Sequence, residues 1–267
     1  LAQMLHVSQD HLFTGIDLFH AADNLLPYFS SVSSIFTLYD VAFRIYPETH
    51  TVLNRWFLTL MLPRFLKAAQ AITTISECSK RDAVRLYQID SDKIQVIYPG
   101  VSARFHPASM ETMTDVRRRY SLPERYVLYV GTLEPRKNLP PLLAAFKQAA
   151  LSDINLVIAG RKGWLYEQVF ARLQTLGLEA SVIFTGFVPD DDLPALYSGA
   201  TAFLFPSLYE GFGLPVLEAM ACGAPVICSN TSSLPEVAGE AAILLPPDDV
   251  RGWAQILNRV VTDTALQ

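Results

Sequence analysis

Residues 202–228 have the sequence AFLFPSLYEGFGLPVLEAMACGAPVIC, the clearest indication of the fold in this chain. Two short apolar runs, Ala202–Phe205 and Pro225–Cys228, flank the helix-like stretch Leu214–Ala221. Pro215 falls at the start of that stretch, where its fixed φ suits the first helical turn. A strand, a helix and a second strand in this order predict one βαβ unit of a parallel sheet.

The same alternation extends in both directions along the chain. Short β-branched or aromatic runs alternate with longer helix-like stretches, which is typical of α/β proteins. Most of the runs are apolar throughout, as expected for strands that are covered on both faces. The predicted strands are Ile16–Ala21, Ser34–Tyr39, Ala71–Ile75, Ile94–Tyr98, Tyr126–Val130, Ile154–Ala159, Val182–Thr185, Ala202–Phe205, Pro225–Cys228 and Ala241–Leu244. The predicted helices are Asn54–Gln70, Ser76–Gln88, Glu111–Tyr120, Leu139–Ala150, Trp164–Leu176, Asp190–Ser198 and Leu214–Ala221, with Ser76 as an N-cap.

A boundary between two domains is predicted near Gly100. The stretch 99–123 breaks the alternation, because it carries prolines, a glycine and one polar helix but no strand. We predict a partial N-terminal domain over residues 1–99 and a second domain over residues 100–267. Four strands are few for an independent α/β domain, whereas the six strands of the second half are enough.

The composition excludes several classes of protein. Apolar residues make up 51% of the chain and charged residues 18%, which excludes disorder and coiled coil. A formal charge of -5 provides no broad basic surface for nucleic acid. Cys78, Cys222 and Cys228 form no CxxC pair, so we predict buried free thiols without a disulfide or zinc. The longest apolar stretch, Trp56–Leu66, is too short to span a bilayer, and no signal peptide is recognised, so we predict a cytoplasmic protein.

Polar segments with glycine follow four consecutive predicted strands of the second domain. In open α/β sheets, ligands bind beyond the carboxyl ends of the strands. We therefore expect these segments to line one crevice. The four segments are Gly131–Asn138, Gly160–Gly163, Gly186–Pro189 and Pro206–Pro215.

Two pairs of cations precede predicted helices, Arg136 with Lys137 and Arg161 with Lys162. The positive end of a helix dipole disfavours a nearby cation by about 0.3–1 kcal/mol. A bound anion would remove this conflict, because helix N-termini and Arg or Lys side chains together hold phosphates. A solvated charged loop is the alternative for each pair.

Two glutamates lie near the predicted helix at Leu214. Glu210 is in the Gly-rich loop before the helix, and Glu218 is inside it among apolar residues. An ionised Glu218 needs hydrogen-bond donors, which the two hydroxyls of a sugar or ribose diol would supply. The alternatives are a carboxylate stabilised by the helix dipole for Glu210 and a solvated, outward-facing side chain for Glu218. The backbone of Gly211–Gly213 offers N–H groups to an anion.

Residues 206–226 resemble the retaining GT-B glycosyltransferases of family 4, also called glycosyl transferases group 1, which carry two glutamates at the same spacing. The resemblance covers nearly the whole chain. It implies a GT-B fold of two Rossmann-like domains with parallel sheets. The N-terminal domain, on the acceptor side, would be partial, and the C-terminal domain would bind the nucleotide sugar and lack its final helix. Four further segments support the resemblance: Ile75–Lys80, Val130–Asn138, Thr185–Pro189 and Leu234–Gly239.

The resemblance also implies roles for individual residues. Arg136 and Lys137 would hold the donor diphosphate, and Glu218 would bind the ribose hydroxyls. Glu210 and the backbone of 211–214 would contact the donor sugar, with Val188 beside the base. The implied donor-binding residues are Gly131, Arg136, Lys137, Val188, Gly211, Phe212, Gly213, Leu214 and Glu218. The implied catalytic residues are Glu210, Arg136, Lys137 and His20. No metal or cofactor is implied.

The sequence departs from the family at Tyr39, which stands where many members carry a histidine. His20 is the next candidate for a catalytic histidine, and a hydrogen-bonded core histidine at a strand end is its alternative. The family's N-terminal Gly-rich loop is not found before Asp17, and its final helix is not found after Gln267.

The resemblance implies a metal-independent transferase of polysaccharide biosynthesis. It would move a hexose, with retention, from a nucleotide-diphosphate sugar to a hydroxyl of a glycan or lipid-linked acceptor. A GDP-linked donor is the first choice over a UDP-linked one, from similarity to mannosyltransferase-like members. Two alternatives stay open: a catalytically inactive GT-B module that binds a nucleotide sugar, and a sugar-nucleotide epimerase. The apolar segment Trp56–Leu66 favours a core helix, and peripheral contact with the inner face of a membrane stays open.

Overall fold

The computed structural model describes residues 7–263, which form two units, each built on a parallel sheet. The first unit contains residues 7–99 together with Glu210–Phe212. The second unit contains residues 100–209 and 213–263. The short segment Glu210–Phe212 thus belongs by its contacts to the first unit, although the chain on both sides of it belongs to the second.

The first unit has four strands in the order β1-β2-β3-β4, each parallel to the next. Its core includes Phe36 of the second strand, Phe65 of the longest helix and Ile72 of the third strand, all almost completely buried. The strands are β1 (Leu18–Ala21), β2 (Ser33–Leu38), β3 (Ala71–Thr74) and β4 (Ile94–Val96). The helices are α1 (Ala42–Ile45), α2 (Val52–Ala68) and α3 (Glu77–Tyr87).

The second unit has six parallel strands in the order β10-β9-β8-β5-β6-β7. Residues Tyr126–Tyr129 of its strand β5 have no exposed surface, as expected for a central strand covered on both faces. The strands are β5 (Tyr126–Val130), β6 (Asn155–Ala159), β7 (Val182–Gly186), β8 (Ala202–Phe205), β9 (Val226–Ser229) and β10 (Ile243–Leu245). The helices are α4 (Met110–Arg119), α5 (Leu139–Ala149), α6 (Glu167–Leu176), α7 (Leu193–Ser198), α8 (Leu214–Ala221), α9 (Leu234–Ala238) and α10 (Val250–Thr262).

The predicted α/β class with parallel sheets is confirmed, and all ten predicted strands are present within two residues at each end. Ser76 caps α3 as predicted, since its Oγ accepts a hydrogen bond from the Ser79 N–H at 3.0 Å. The helix predicted from Trp164 begins at Glu167 instead, because Leu165 adopts a left-handed φ of 56°. Helices α1, α9 and α10 were not predicted.

The apolar segment Trp56–Leu66 lies within α2, which continues through Pro63. The later part of the helix contributes Met61, Leu62 and Phe65 to the core of the first unit, whereas Trp56 is 62% exposed. None of the described helices combines the length and apolar content that a membrane crossing requires. The three cysteines are buried free thiols.

Candidate functional site

The carboxyl ends of β5, β6 and β7 surround a cavity of about 240 Å³ in the second unit. It is lined by residues that follow each of these strands, so three of the four predicted segments do contribute to one crevice. The lining includes Gly131, Thr132, Gly160, Arg161, Val188 and Asp190. A cavity at this edge of a parallel sheet is where α/β proteins bind ligands.

Two glycines allow the ends of β5 and β6 to approach closely. Gly131 and Gly160 have φ values of 154° and 155°, which L side chains rarely adopt. A Cβ atom on Gly160 would lie 1.9 Å from the carbonyl oxygen of Gly131. The cavity therefore depends on a bare backbone at both strand ends.

Arg136 connects the turn after β5 to the loop after β8. It lies in the short 3-10 helix Pro135–Lys137, directly before α5. Its guanidinium donates one hydrogen bond to the Tyr209 carbonyl at 2.6 Å and another to Glu134 Oε1 at 2.7 Å. Its own carbonyl accepts a hydrogen bond from the Leu208 N–H at 2.9 Å. The charge of Arg136 is thus met inside the protein by the carboxylate of Glu134.

Glu134 is a buried carboxylate, 3% exposed, with only one of its oxygens paired. Among the described residues, Glu134 Oε2 has no hydrogen-bond partner, and the same holds for the hydroxyls of Ser207 and Ser229. These residues follow or end β5, β8 and β9, which are neighbours in the sheet. These three buried polar atoms therefore lie at or after the ends of neighbouring strands of the second unit. A polar ligand or water bound there would complete their hydrogen bonding.

Three cations of this edge each lie over an aromatic ring. Lys137 Nζ lies 5.3 Å from the centroid of the Phe205 ring. The Arg161 guanidinium lies 4.1 Å from the Phe187 centroid, and Lys162 Nζ lies near the ring of Tyr166. Since α6 begins only at Glu167, the prediction that Arg161 and Lys162 directly precede a helix is wrong. Aromatic faces, which attract cations, lie against the side chains of Arg161 and Lys162.

Glu218 lies inside α8, where it accepts a hydrogen bond from the Tyr197 hydroxyl at 3.0 Å on Oε2. Burial raises the pKa of Glu218, the hydrogen bond from Tyr197 lowers it, and the nearby charge of Asp190 raises it further. Gly213 occupies the N-cap of α8 with a φ of 115°. A Cβ atom at Gly213 would lie 2.7 Å from Leu234 Cδ2. The start of α8 is therefore restricted to glycine by both backbone conformation and packing.

The segment Glu210–Phe212 is fixed in the first unit through its central glycine. Ser76 Oγ donates a hydrogen bond to the Gly211 carbonyl at 2.6 Å, and Ser79 Oγ donates to the Tyr39 carbonyl at 2.9 Å. A Cβ atom on Gly211 would lie 2.5 Å from that Tyr39 carbonyl oxygen. Glu210 itself is 8% exposed. The helix cap Ser76 therefore has a second role, which its sequence context did not reveal.

The sequence comparisons agree with these motifs. A profile of the family described as "Glycosyl transferases group 1" matches residues 114–267. A second profile, "Glycosyltransferase Family 4", matches residues 4–105. The chain belongs to this glycosyltransferase family.

Two similar relatives with assigned names are mannosyltransferases of Escherichia coli. O-antigen chain mannosyltransferase B of Escherichia coli is 35% identical over 252 residues, which are 92% of this chain and 66% of the relative. Serotype-specific mannosyltransferase WbdA of Escherichia coli is 37% identical over 204 residues, which are 74% of this chain and 25% of the relative. The chain therefore spans less than two thirds of the length of these relatives.

Solved structures identify the fold as GT-B. Anabaena HepE, solved in complex with UDP and glucose, superposes with a TM-score of 0.79 at 21% identity, covering 94% of this chain and 69% of HepE. WaaG, a glycosyltransferase involved in lipopolysaccharide biosynthesis, superposes with a TM-score of 0.76 at 17% identity, covering 97% of this chain and 72% of WaaG. At these identities the likeness concerns the fold, and it confirms the two parallel-sheet domains.

Tyr39, which the sequence resemblance aligns with a histidine of many family members, donates a hydrogen bond from its hydroxyl to the Ala22 carbonyl at 2.7 Å. His20 is on β1, and its Nε2 lies 2.8 Å from Thr37 Oγ1, which lies 2.8 Å from Thr73 Oγ1. A hydrogen-bonded chain therefore runs across β1, β2 and β3. His20 is exposed, so it is hydrogen-bonded at a strand end but is not a core residue.

Sequence reasoning missed two residues at the candidate site. Asp190 lines the cavity, and Tyr197 binds Glu218, whereas Phe187 lies in the predicted segment Gly186–Pro189. No local pattern marks Tyr197, since it lies in a different helix from its partner. Among residues 7–263, no group of three or more His, Cys, Asp or Glu side chains could hold a metal ion.

Replacing Arg136 by methionine should destabilise the second unit by about 3 kcal/mol, because it leaves the buried carboxylate of Glu134 without its counter-charge. Lys137→Met is the matched control, since it removes a neighbouring cation that lies over an aromatic face, and should cost about 1 kcal/mol or less. Urea unfolding of the two variants checks the difference. Equal midpoints would contradict the structural role given to Arg136.

Proposed function

We propose that this protein transfers a hexose from a nucleotide-diphosphate sugar to a hydroxyl of a glycan or lipid-linked acceptor, with retention at the anomeric carbon. The cavity at the ends of β5, β6 and β7 carries this proposal, since it lies in a member of a glycosyltransferase family and combines bare glycine backbone with nearby cations. The mannosyltransferase names of the E. coli relatives support a hexose as the transferred group.

In this proposal the second unit binds the donor nucleotide. The base enters the cavity beside Val188, and the ribose hydroxyls bind Glu218. The diphosphate binds Lys137 and Arg136 together with the backbone N–H groups that begin α8. The leaving group is a phosphate, so its departure requires stabilisation of negative charge rather than protonation by a carboxylic acid. Cations and helix N-terminal N–H groups supply that stabilisation without a bound metal.

The chemistry of the cavity favours guanine as the base of the donor. The Asp190 carboxylate is part of its lining. Guanine presents an N1–H and a 2-amino group side by side, which one carboxylate can accept together. Uracil presents a single N–H between two carbonyl oxygens, which a carboxylate repels. A GDP-linked hexose is therefore the proposed donor.

The function is tested with the full-length protein and a panel of GDP- and UDP-hexoses, with and without an oligomannoside acceptor. We expect acceptor-dependent release of GDP. Lys137→Ala should weaken GDP binding by about 1.5–3 kcal/mol while leaving guanosine binding unchanged, because one charge-assisted contact to phosphate is lost.

Other outcomes of the same panel point to the two alternative functions. Nucleotide-sugar binding without turnover under every acceptor condition would indicate an inactive binding module. A new sugar nucleotide formed without an acceptor would indicate an epimerase. Equal calorimetric affinity for guanosine and GDP would contradict the diphosphate site.

The two glutamates should differ in their kinetic effects. Positive charge develops on the sugar as the glycosidic bond breaks, and we propose that Glu210 stabilises it. Glu210→Gln should therefore lower kcat by about 10²-fold with nucleotide affinity nearly unchanged. Glu218 binds a ribose that does not react, so Glu218→Gln should raise KM with kcat nearly kept. Steady-state kinetics of the two variants, with nucleotide affinity measured in a separate binding experiment, distinguish the two roles. Loss of nucleotide affinity in Glu210→Gln together with loss of kcat alone in Glu218→Gln would overturn the assignment.

We further propose that the protein binds peripherally to the inner face of a membrane. A lipid-linked acceptor would be located there. The first turns of α2 expose Val52, Leu53 and Trp56 at 74%, 76% and 62%. Arg55 is exposed beside them, and α2 contains no acidic residue. Interfacial tryptophan and cations near anionic lipid headgroups are typical of such contacts.

Trp56→Ser should weaken binding of the full-length protein to phosphatidylglycerol-containing vesicles by about tenfold, because a large apolar side chain no longer leaves water. Trp164→Ser, at a partly exposed tryptophan of the second unit, should bind as the wild type does. Sedimentation with vesicles measures both. Wild-type protein that stays unbound at low salt would exclude the membrane contact.

A further inference from the structure

The side chain of Tyr197 is fully buried, and its hydroxyl contacts the carboxylate of Glu218. It lies on α7 with no exposed surface, and its ring meets Phe203 edge-on with centroids 5.2 Å apart. Its hydroxyl donates to Glu218 Oε2 at 3.0 Å. Packing thus leaves the ring little freedom, so the direction of the hydroxyl is set by the core of the second unit.

We propose that Tyr197 is a positioning residue that orients the Glu218 carboxylate for the ribose hydroxyls of the donor nucleotide. The inference rests on the proposed function, because it presumes that a nucleotide occupies the cavity of the second unit. A carboxylate has two oxygens and about four acceptor positions. The tyrosine hydroxyl takes one position on Oε2, which restricts rotation of the carboxylate and leaves Oε1 as the acceptor for a diol.

The alternative partners of Glu218 are few in the described part of the chain. Asp190, from the loop between β7 and α7, carries a like charge and repels the carboxylate. Cys222, the C-cap residue directly after α8, is buried, and burial is the main reason that its pKa is raised to about 11, so it is a neutral thiol at physiological pH. Tyr197 is therefore the neighbouring group that favours the ionised form of Glu218 in a direction fixed by packing.

Loss of the Tyr197 hydroxyl should shift the pH dependence of nucleotide binding in a known direction. Burial already raises the pKa of Glu218, and the hydrogen bond from Tyr197 lowers it. Tyr197→Phe should therefore raise the pKa of Glu218 further. The diol is bound by the ionised carboxylate, so nucleotide binding weakens as the pH falls and Glu218 is protonated. In the variant this weakening should begin at a higher pH than in the wild type.

The experiment compares GDP with 2′,3′-dideoxy-GDP by calorimetry in the full chain, with UDP and its dideoxy analogue as a parallel pair. Tyr126→Phe is the matched control. The Tyr126 hydroxyl is equally buried and donates to the Leu196 carbonyl at 2.9 Å, one residue before Tyr197. Both variants therefore remove one buried hydroxyl that contacts α7, but only Tyr197→Phe affects Glu218.

Tyr197→Phe should weaken binding of the ribonucleotide by about fivefold to tenfold, the effect of one hydrogen bond, and leave the dideoxy analogue unchanged. Tyr126→Phe should keep the wild-type ratio of the two affinities. Equal weakening of both ligands by Tyr197→Phe, or an unshifted pH profile, would overturn the positioning role. If the wild type binds no nucleotide at all, the proposed function fails first.

A double variant keeps the test decisive if Tyr197→Phe is too unstable to measure. Tyr197→Phe combined with Glu218→Gln removes the carboxylate that the lost hydroxyl would leave unpaired. Compared with Glu218→Gln alone, it should bind the ribonucleotide and the dideoxy analogue with the same ratio of affinities. A further change in that ratio would show that Tyr197 acts on the ribose by a route other than Glu218.

Discussion

The arrangement of the candidate site depends on the hydrogen bonds that Arg136 makes between two loops. Strands β5 and β8 are neighbours in the sheet although 71 residues separate their last and first residues, Val130 and Ala202, and the chain order reverses between them. Loops at such a point diverge to opposite faces of the sheet, which creates a crevice. Arg136 joins these loops through Tyr209 and Leu208. The positions of Lys137 and of the chain that leads into α8 follow from that connection.

The parallel sheet also explains why the cavity has a glycine-rich rim. Parallel strands bring the ends of β5, β6 and β7 to one edge, where Gly131 and Gly160 touch backbone to backbone. A side chain at Gly160 would overlap the Gly131 carbonyl and separate the strand ends. The rim of the cavity therefore carries no side chain at these two positions, so a flat ligand can approach the backbone closely.

Charged groups of the second unit have internal partners that only partly satisfy them. Glu134 pairs with Arg136 through one oxygen, and its other oxygen has no partner among the described residues. Glu218 accepts one hydrogen bond from Tyr197 while burial raises its pKa. Such groups are held in place before a ligand arrives, so a ligand completes their hydrogen bonding without reorganising them. This preorganisation fits the proposed binding of a diol at Glu218.

The α/β class, the ten strands, the Ser76 cap and the family could be predicted from the amino-acid sequence, because apolar periodicity, capping residues and the two-glutamate segment are local features. The neighbours of each strand and the pairs of side chains that meet are known from the folded structure alone. The tertiary structure brought Tyr197 to Glu218, gave Arg136 the carboxylate of Glu134, and moved the start of the helix predicted from Trp164 to Glu167. The first outcome depends on packing between segments that are distant in the chain. The third depends on the left-handed φ of Leu165, which the helix-favouring composition around it does not reveal. The pattern of apolar residues in a helix or strand indicates which of its faces is buried. The element that packs against that face depends on the order of the strands in the sheet.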